Sequence, residues 1–190
     1  MDINKAIRKQ KKSYRRFLLS MCFIFFALPI VLFFYGKFNA FYILYLLIIE
    51  LLIFLSVFVV MNKYSLKYNI KLSRISIKQG KLGKQIAINN EKVVVVHTEN
   101  KNDELQIIII STMSFRRLKL VDTKFLKKVT KIKKYYEKIA AQNQNNVCFY
   151  LFINKGGYLK YQFLDDLYKN CVHAIFTEDA IERIKEYRKI

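Results

Sequence analysis

A single acidic residue, Glu50, lies inside the apolar run LLIIELLIF at positions 46–54. A carboxylate at the centre of a membrane-spanning helix costs roughly 2.5–3.5 kcal/mol on insertion scales, so such residues usually face protein or water. The apolar segment before it offers no basic partner at a matching depth. We therefore predict that Glu50 makes an intramembrane contact with a second subunit. A protonated carboxyl group, and a carboxylate that strong surrounding hydrophobicity tolerates, are the alternatives.

The other side chains that could support catalysis or bind a metal are few and scattered. His97 and His173 each stand alone, and because a metal site needs three or four convergent donors we expect a structural role for both. The adjacent acids Asp165 and Asp166 are typical of a solvated turn, and the cysteines form no CxxC pair. The sequence contains no phosphate-binding loop, HExxH or GxSxG motif. We therefore predict no catalytic residue, no metal, no cofactor and no enzymatic activity.

Basic side chains dominate the charge of the chain, whose formal net charge is +20. Each Lys or Arg close to an anionic lipid surface contributes about 1 kcal/mol of attraction. Nucleic acid is the rival partner for such a chain, but the densest basic clusters flank apolar segments, so no nucleic-acid partner is expected. We predict a basic patch that faces the membrane surface or a partner, made of Arg15, Arg16, Lys63, Lys67, Lys124, Lys127, Lys128, Lys131 and Lys134.

Two apolar segments can place these residues at a membrane. Residues 17–35 carry no charge, and residues 38–61 carry only Glu50. Each segment is long enough to cross a hydrocarbon core of roughly 30 Å as a helix. A secretory signal peptide is the competing explanation of the first segment. Because a second span begins almost at once, we predict a retained transmembrane hairpin with its turn at Gly36 and Lys37.

The distribution of Lys and Arg predicts how this hairpin is oriented. Residues 1–16 hold seven basic side chains and one acidic one, residues 62–84 hold seven basic and none acidic, and the turn holds only Lys37. Basic residues remain on the cytoplasmic side of a membrane. We therefore predict a multi-pass plasma-membrane protein with both termini in the cytoplasm. Residues 1–16 are then a basic cytoplasmic arm, 17–61 the hairpin, and 62–190 a cytoplasmic domain.

The segment after the hairpin has the short apolar alternations that are typical of β-strands. Strands are predicted near 68–77, 86–88, 93–97, 105–110, 147–153, 158–164 and 171–176. The glycine-containing sequences KQGKLGK (78–84) and NKGG (154–157) predict hairpin turns. The polar sequence ENKNDE (99–104) predicts a loop.

Two amphipathic helices are predicted among these strands. Asp122 can cap the first, whose apolar residues recur at intervals of three and four while lysines occupy its other faces. We favour packing of this apolar stripe on the domain over insertion into a membrane. Thr177 can cap the second helix, which has acidic residues in its first turn. The apolar positions of the two helices are Phe125, Val129, Ile132, Tyr136 and Ile139, and Ile181, Ile184 and Tyr187.

The chain has two predicted spans, followed by the sequence YNIKLSRISIKQGKLGKQIAI and then by strands that end in FTEDAIERIKEYRK. This layout resembles that of bacterial two-span membrane proteins with a pleckstrin-homology-like (PH-like) cytoplasmic domain, of the YdbS and YcxB kind. The resemblance implies an α+β membrane protein. Its transmembrane hairpin would precede a PH-like antiparallel barrel or sheet with an inserted Lys-rich helix and a C-terminal helix. It also implies a binding or scaffolding module without catalytic residues.

The function expected from these observations is that of a non-enzymatic, membrane-anchored adaptor or scaffold within a larger membrane assembly. Its expected partners are anionic lipid headgroups and either another membrane protein or a second copy of the chain, bound through the hairpin. One alternative is an immunity or stress-protection protein that blocks a membrane-active toxin. The other is a subunit of a transport or secretion complex, with Glu50 in a polar pathway.

Overall fold

The computed structural model describes residues 3–36, 39–71, 73–101, 104–114, 118–142 and 147–189. It begins with two long helices, α1 (Ile3–Tyr35) and α2 (Ala40–Tyr64). Both are long and apolar enough to cross a membrane, and the most apolar part of each is not buried by protein. The predicted basic arm is part of α1 from Ile3 onward. Lys37, in the predicted turn, lies outside the described residues.

The remaining described residues form two β-sheets, four α-helices and a short 3₁₀ helix (Asn90–Lys92). The strands are β1 (Leu66–Lys71), β2 (Arg74–Gln79), β3 (Gln85–Asn89), β4 (Val93–Lys101), β5 (Glu104–Ser111), β6 (Lys119–Leu120), β7 (Phe149–Ile153) and β8 (Ile175–Phe176). The helices are α3 (Thr123–Lys128), α4 (Thr130–Gln142), α5 (Leu159–Asn170) and α6 (Glu178–Arg188). Strands β1–β3 form an antiparallel sheet, and the second sheet has the order β6-β7-β5-β4-β8 with only the β4–β8 pair parallel. We call residues 66–189 the β-rich unit.

The five-stranded sheet is the central layer of the β-rich unit. Alternate residues of β5 face opposite sides, and both sides are buried. Ile107 and Ile109 belong to one apolar cluster with the three-stranded sheet, α5 and α6. Ile108 and Ile110 belong to a second cluster with α3 and α4. A strand covered on both faces has a nearly continuous apolar sequence, which explains LQIIII, where Gln106 is the one polar residue.

The predicted strand at 158–164 is wrong, because α5 begins at Leu159, directly after Tyr158, and contains the rest of this segment. Phe163, Leu164 and Leu167 are buried together, and their spacing of one and three is that of a helix face. NKGG is therefore a strand-to-helix turn and not a hairpin. The expected solvated turn at Asp165 is also wrong. This carboxylate is buried in α5 and bonds to Lys169 at 2.6 Å and Arg188 at 2.5 Å.

Three smaller predictions also need correction. The strand predicted at 68–77 is two strands, β1 and β2, that form a hairpin. The loop predicted at 99–104 is largely strand, since β4 extends to Lys101 and β5 begins at Glu104, with Asn102 and Asp103 outside the described residues. The strand predicted at 171–176 is reduced to β8, which makes a two-residue parallel pair with β4.

The predicted Lys-rich helix is confirmed but is divided at Val129 into α3 and α4. Asp122 caps it as expected, because its Oδ1 accepts the N–H of Phe125 at 2.7 Å. Phe125, Val129 and Ile132 are buried against the five-stranded sheet, so the apolar stripe packs on the protein. The side chain of Ile139 lies outside the described residues.

The predicted C-terminal helix is confirmed as α6, and its Ile184 is only 3% exposed. Ile181 and Tyr187 are half-buried. Thr177 precedes the helix as expected, but its hydroxyl lies 2.9 Å from Nδ1 of His97 and makes no capping bond to the helix. The fold is therefore α+β, with two apolar N-terminal helices, one antiparallel sheet and one mixed sheet.

Candidate functional site

The end of α2 is held by two loops of the β-rich unit. The N–H of Gly80 donates to the carbonyl of Ser65 at 2.7 Å, and the N–H of Gly156 donates to the carbonyl of Lys63 at 2.9 Å. The N–H of Lys81 donates to Oδ1 of Asn62 at 2.9 Å. The last carbonyls of a helix lack intrahelical partners, so these bonds satisfy groups that would otherwise need water. We call this set of contacts the junction.

Two glycines allow the chain to approach α2 this closely. Gly156 and Gly157 adopt φ values of 123° and 49°, in the region that side chains disfavour. A Cβ atom on Gly156 would lie 2.6 Å from Cβ of Leu66, and one on Gly157 would lie 2.5 Å from Cδ1 of Tyr64. Both positions therefore need glycine for their backbone conformation and for space.

Helix α1 contributes a second attachment beside the junction. The rings of Tyr14 and Tyr64 lie with centroids 4.7 Å apart, which places these residues of α1 and α2 at the same level. Nζ of Lys11 lies 5.8 Å from the ring centroid of Tyr158 in the β-rich unit. Since a helix rises about 1.5 Å per residue, residues 6–13 lie roughly 6–16 Å beyond Phe17, where the apolar segment of α1 begins. They form a wall against the β-rich unit.

A cavity of about 310 Å³ lies between this wall and the β-rich unit. Its lining residues are Ala6, Ile7, Lys9, Gln10 and Ser13 of α1, Tyr64 of α2, and Glu104, Leu105, Gly157, Lys160 and Tyr161 of the β-rich unit. The elements meet here because the glycine turn brings the start of α5 against the last turn of α2.

Lys160 is the most unusual residue of the cavity, since only 1% of it is exposed. Its Nζ donates to the carbonyl of Asn154 at 2.9 Å. Burial lowers the pKa of the Lys160 ammonium below its ordinary value; Glu104 opposes this effect and Lys63 adds to it. Glu104 itself is paired with Lys63 at 2.6 Å. The cavity therefore combines a buried ammonium with a carboxylate that is already neutralised.

Glu50, the residue predicted to contact another subunit, lies half-buried in α2. No described residue forms a hydrogen bond or an ion pair with its carboxylate. The contact with a second subunit thus stays a prediction.

The nine predicted patch residues lie in two groups. Arg15 and Arg16 are exposed on α1 directly after Tyr14, and the ring contact of Tyr14 with Tyr64 puts them at the level of Lys63. Lys67 is exposed on β1. The second group is on α3 and α4, across the five-stranded sheet from α5, and consists of Lys124, Lys127, Lys128, Lys131 and Lys134.

Two members of the second group already have partners. Lys131 pairs with Asp179 of α6 at 2.9 Å, and Nζ of Lys128 lies 5.9 Å from the ring centroid of Phe152. Two open clefts of about 430 and 520 Å³ flank the Lys131–Asp179 pair, and both are lined by residues of each charge. This side of the sheet offers a mixed charge surface and not a single cationic one.

The buried residue His97 combines with Thr177 and Glu99 in a way that invites a catalytic interpretation. Its Nδ1 lies 2.9 Å from Oγ1 of Thr177, and its Nε2 lies 3.6 Å from Oε1 of Glu99. However, His97 is fully buried and Thr177 is 2% exposed, so the pair lies in the interior of the protein. Over the described part of the chain, no three His, Cys, Asp or Glu side chains come together as a metal site would require. The group is therefore structural.

The sequence analysis did not identify four residues of this region as site residues: Glu104, Gly156, Gly157 and Lys160. The available signal was the sequence NKGG between an apolar strand and a helix-spaced apolar pattern, which was assigned to a hairpin. Comparison of the chain with protein-family models, curated proteins and solved structures finds no match. What can be concluded about function therefore rests on the junction and the cavity beside it.

Proposed function

We propose that this protein is a non-enzymatic, membrane-anchored adaptor whose β-rich unit is held at the cytoplasmic surface of the plasma membrane, where it binds partners. The junction is the observation that carries the proposal. Between Tyr64, the last residue of α2, and Leu66, the first of β1, there is one residue. Three hydrogen bonds fix this stretch to two loops. A unit attached in this way presents one fixed face to a membrane partner.

The hairpin between β2 and β3 supports a position at the lipid surface. Lys81 contacts α2 both through its N–H and through its Nζ, which lies 3.8 Å from Sδ of Met61. Met61 is the last residue of the apolar segment. Leu82, the residue after Lys81, is 75% exposed, and Lys84 lies two residues further along the chain. An exposed leucine between lysines suits a contact in which the apolar tip enters the lipid and the ammonium groups stay among headgroups.

The proposed orientation, with both termini in the cytoplasm, is supported by the basic residues at one end of both helices. Cysteine labelling of intact cells tests it. A cysteine at Lys37 should react with a membrane-impermeant reagent, whereas cysteines at Lys9 and Lys119 should be protected. Cys22 is replaced by serine in all of these variants, because it is an exposed native thiol in α1. External labelling at Lys119 would overturn the orientation.

The resemblance to two-span proteins with a PH-like domain remains part of this proposal. Its support is the order of two spans, a β-rich unit and a C-terminal helix packed through Ile184. The helix α5, at the place of the sixth expected strand, counts against a seven-strand barrel.

The adaptor role is tested by purifying the full chain from native membranes in mild detergent and identifying what copurifies by mass spectrometry. We expect a membrane protein in stoichiometric amount. Gly156→Val should lose it, because a side chain there collides with Leu66 and opens the junction. The matched control is Gly36→Ala, since Gly36 also has a positive φ of 67° but no atom of the described residues lies within 4 Å of an added Cβ. Recovery of a lone oligomer from the wild type would instead favour the toxin-immunity alternative.

A further inference from the structure

The buried ammonium of Lys160 has unused hydrogen-bonding capacity. An ammonium carries three donors, and among the described residues only the carbonyl of Asn154 accepts from Lys160. A buried charge is costly unless it is paired and hydrogen-bonded. Glu104 also lines the cavity, but its carboxylate is engaged by Lys63 at 2.6 Å. Among the described residues, Lys160 therefore has no carboxylate within ion-pair distance.

The α1 wall of the cavity supplies further groups that suit an anion. Lys9 adds a second positive charge, while the Gln10 amide and the Ser13 hydroxyl are hydrogen-bond donors. Two lysines thus face a single lining carboxylate, which already has its own cationic partner. The cavity volume of about 310 Å³ lies at the small end of the range for ligand pockets, about 300–1,000 Å³.

The distance of the cavity from the apolar segment of α1 indicates which anions lie near it. Ser13 lies four residues before Phe17, the first residue of the uncharged apolar segment. At about 1.5 Å per residue, this separation is about 6 Å. The headgroup region on each side of a bilayer is roughly 5–7 Å thick. The end of the cavity at Ser13 and Tyr64 is therefore at the depth of the lipid phosphates if α1 crosses the membrane. Lys9 is about 12 Å from Phe17 and lies at the outer end of the cavity, from which its long side chain can reach toward the headgroup.

We propose that this cavity binds a phosphate ester, supplied by the headgroup of an anionic lipid in the adjacent leaflet, with Lys160 and Lys9 as its cationic ligands. The proposal rests on the proposed membrane anchoring and names the ligand class of the junction. Lys160 contacts the phosphate from the interior of the β-rich unit, and Lys9 closes over it from α1. A bound headgroup would then bridge α1 and the β-rich unit.

The test uses the full chain in a non-ionic detergent, with binding counted by native mass spectrometry. Three probes are titrated: dioctanoyl phosphatidylglycerol, dioctanoyl phosphatidylcholine and soluble glycerol phosphate. We expect one phosphatidylglycerol per chain at saturation and at least tenfold weaker binding of phosphatidylcholine and of glycerol phosphate. Equal affinity for glycerol phosphate would assign the site to a soluble phosphate ester and overturn the lipid source. Absence of a saturable site for any of the probes would overturn the proposal.

Lys160→Met should weaken phosphatidylglycerol binding at least tenfold, because methionine fills the space of the lysine stem without a charge. Lys9→Gln, at an exposed position where folding is not at risk, should weaken it about three- to tenfold. Lys119→Met, which removes an exposed lysine of β6 outside the cavity, is the control and should bind as the wild type does. Unchanged binding in both cavity variants would overturn the site. Membrane insertion and the copurified partner are measured in parallel, so a failure of this site is distinguished from a failure of the anchoring itself.

Discussion

Replacing His97 by glutamine should remove an acid sensitivity that this imidazole gives the β-rich unit. The side chain is fully buried, and its Nε2 has no hydrogen-bond partner among the described residues. Burial lowers the pKa of His97 to about 4; Asp179 opposes the shift and Lys131 adds to it. Glu99 and Thr177 are the other polar groups that face the ring. The imidazole is thus neutral in the folded protein at neutral pH.

The sign of the effect follows from the proton balance. The ordinary pKa of histidine, near 6.5, applies to the unfolded chain, so between about pH 6.5 and 4 the unfolded state binds more protons than the folded one. Stability is therefore complete above this window and is lost as the pH falls through it. With 1.36 kcal/mol per pKa unit, the loss is about 2 kcal/mol between pH 7.5 and pH 5 and about 3 kcal/mol once the window is crossed.

The measurement is urea unfolding of the full chain in non-ionic detergent, followed by tyrosine fluorescence at several pH values from 7.5 to 5. The free energy of unfolding of His97→Gln is subtracted from that of the wild type, which removes the contributions of the carboxylates. His173→Gln, at an exposed histidine before β8, is the control and should keep the full wild-type slope. If His97→Gln and the wild type lose stability equally between pH 7.5 and 5, the buried imidazole does not act as described.

Two further predictions concern Glu50 and Ile184. Glu50→Leu should weaken assembly by about 0.6–2 kcal/mol for one lost interhelical hydrogen bond while insertion is unchanged. Glu50→Gln should retain more assembly than the leucine variant. Assembly is measured by sedimentation in detergent, and if both variants sediment as the wild type does, Glu50 makes no contact that assembly needs. Ile184→Asp should unfold the β-rich unit, because Ile184 is 3% exposed in the main apolar cluster and an unpaired charge there has no partner. The neighbouring Lys185→Asp is exposed and should melt as the wild type does; a native circular-dichroism melt for Ile184→Asp would contradict the docking of α6.

The elements predicted correctly are those specified by local interactions. Asp122 caps α3 through a bond that spans three residues, and such contacts are visible in the sequence. The apolar runs of α1 and α2 are long enough that no competing element fits them. The apolar run in β5 also predicted a strand correctly, since a strand buried on both faces needs no alternation of apolar and polar residues.

The segment at 158–164 was mistaken because two periods fit it. Leu159, Tyr161 and Phe163 alternate as in a strand, whereas Phe163, Leu164 and Leu167 follow a helix. Short apolar segments do not distinguish the two by pattern alone. The choice is made by the turn at Gly156, which is fixed by the distant carbonyl of Lys63. The burial of Lys160 depends on the same long-range contact, so the cavity could not be predicted from the sequence.

If α2 spans a membrane as proposed, the junction also determines how the protein responds to the thickness of the bilayer. A helix whose apolar length exceeds the local hydrocarbon thickness tilts, and tilts of roughly 20° are common. One residue separates α2 from β1, and hydrogen bonds hold α2 to the β-rich unit. The β-rich unit therefore tilts together with α2. Surfaces far from Gly156 then travel farthest relative to a partner embedded in the same membrane. Bilayer thickness would then change the position of the β-rich unit relative to the proposed partner.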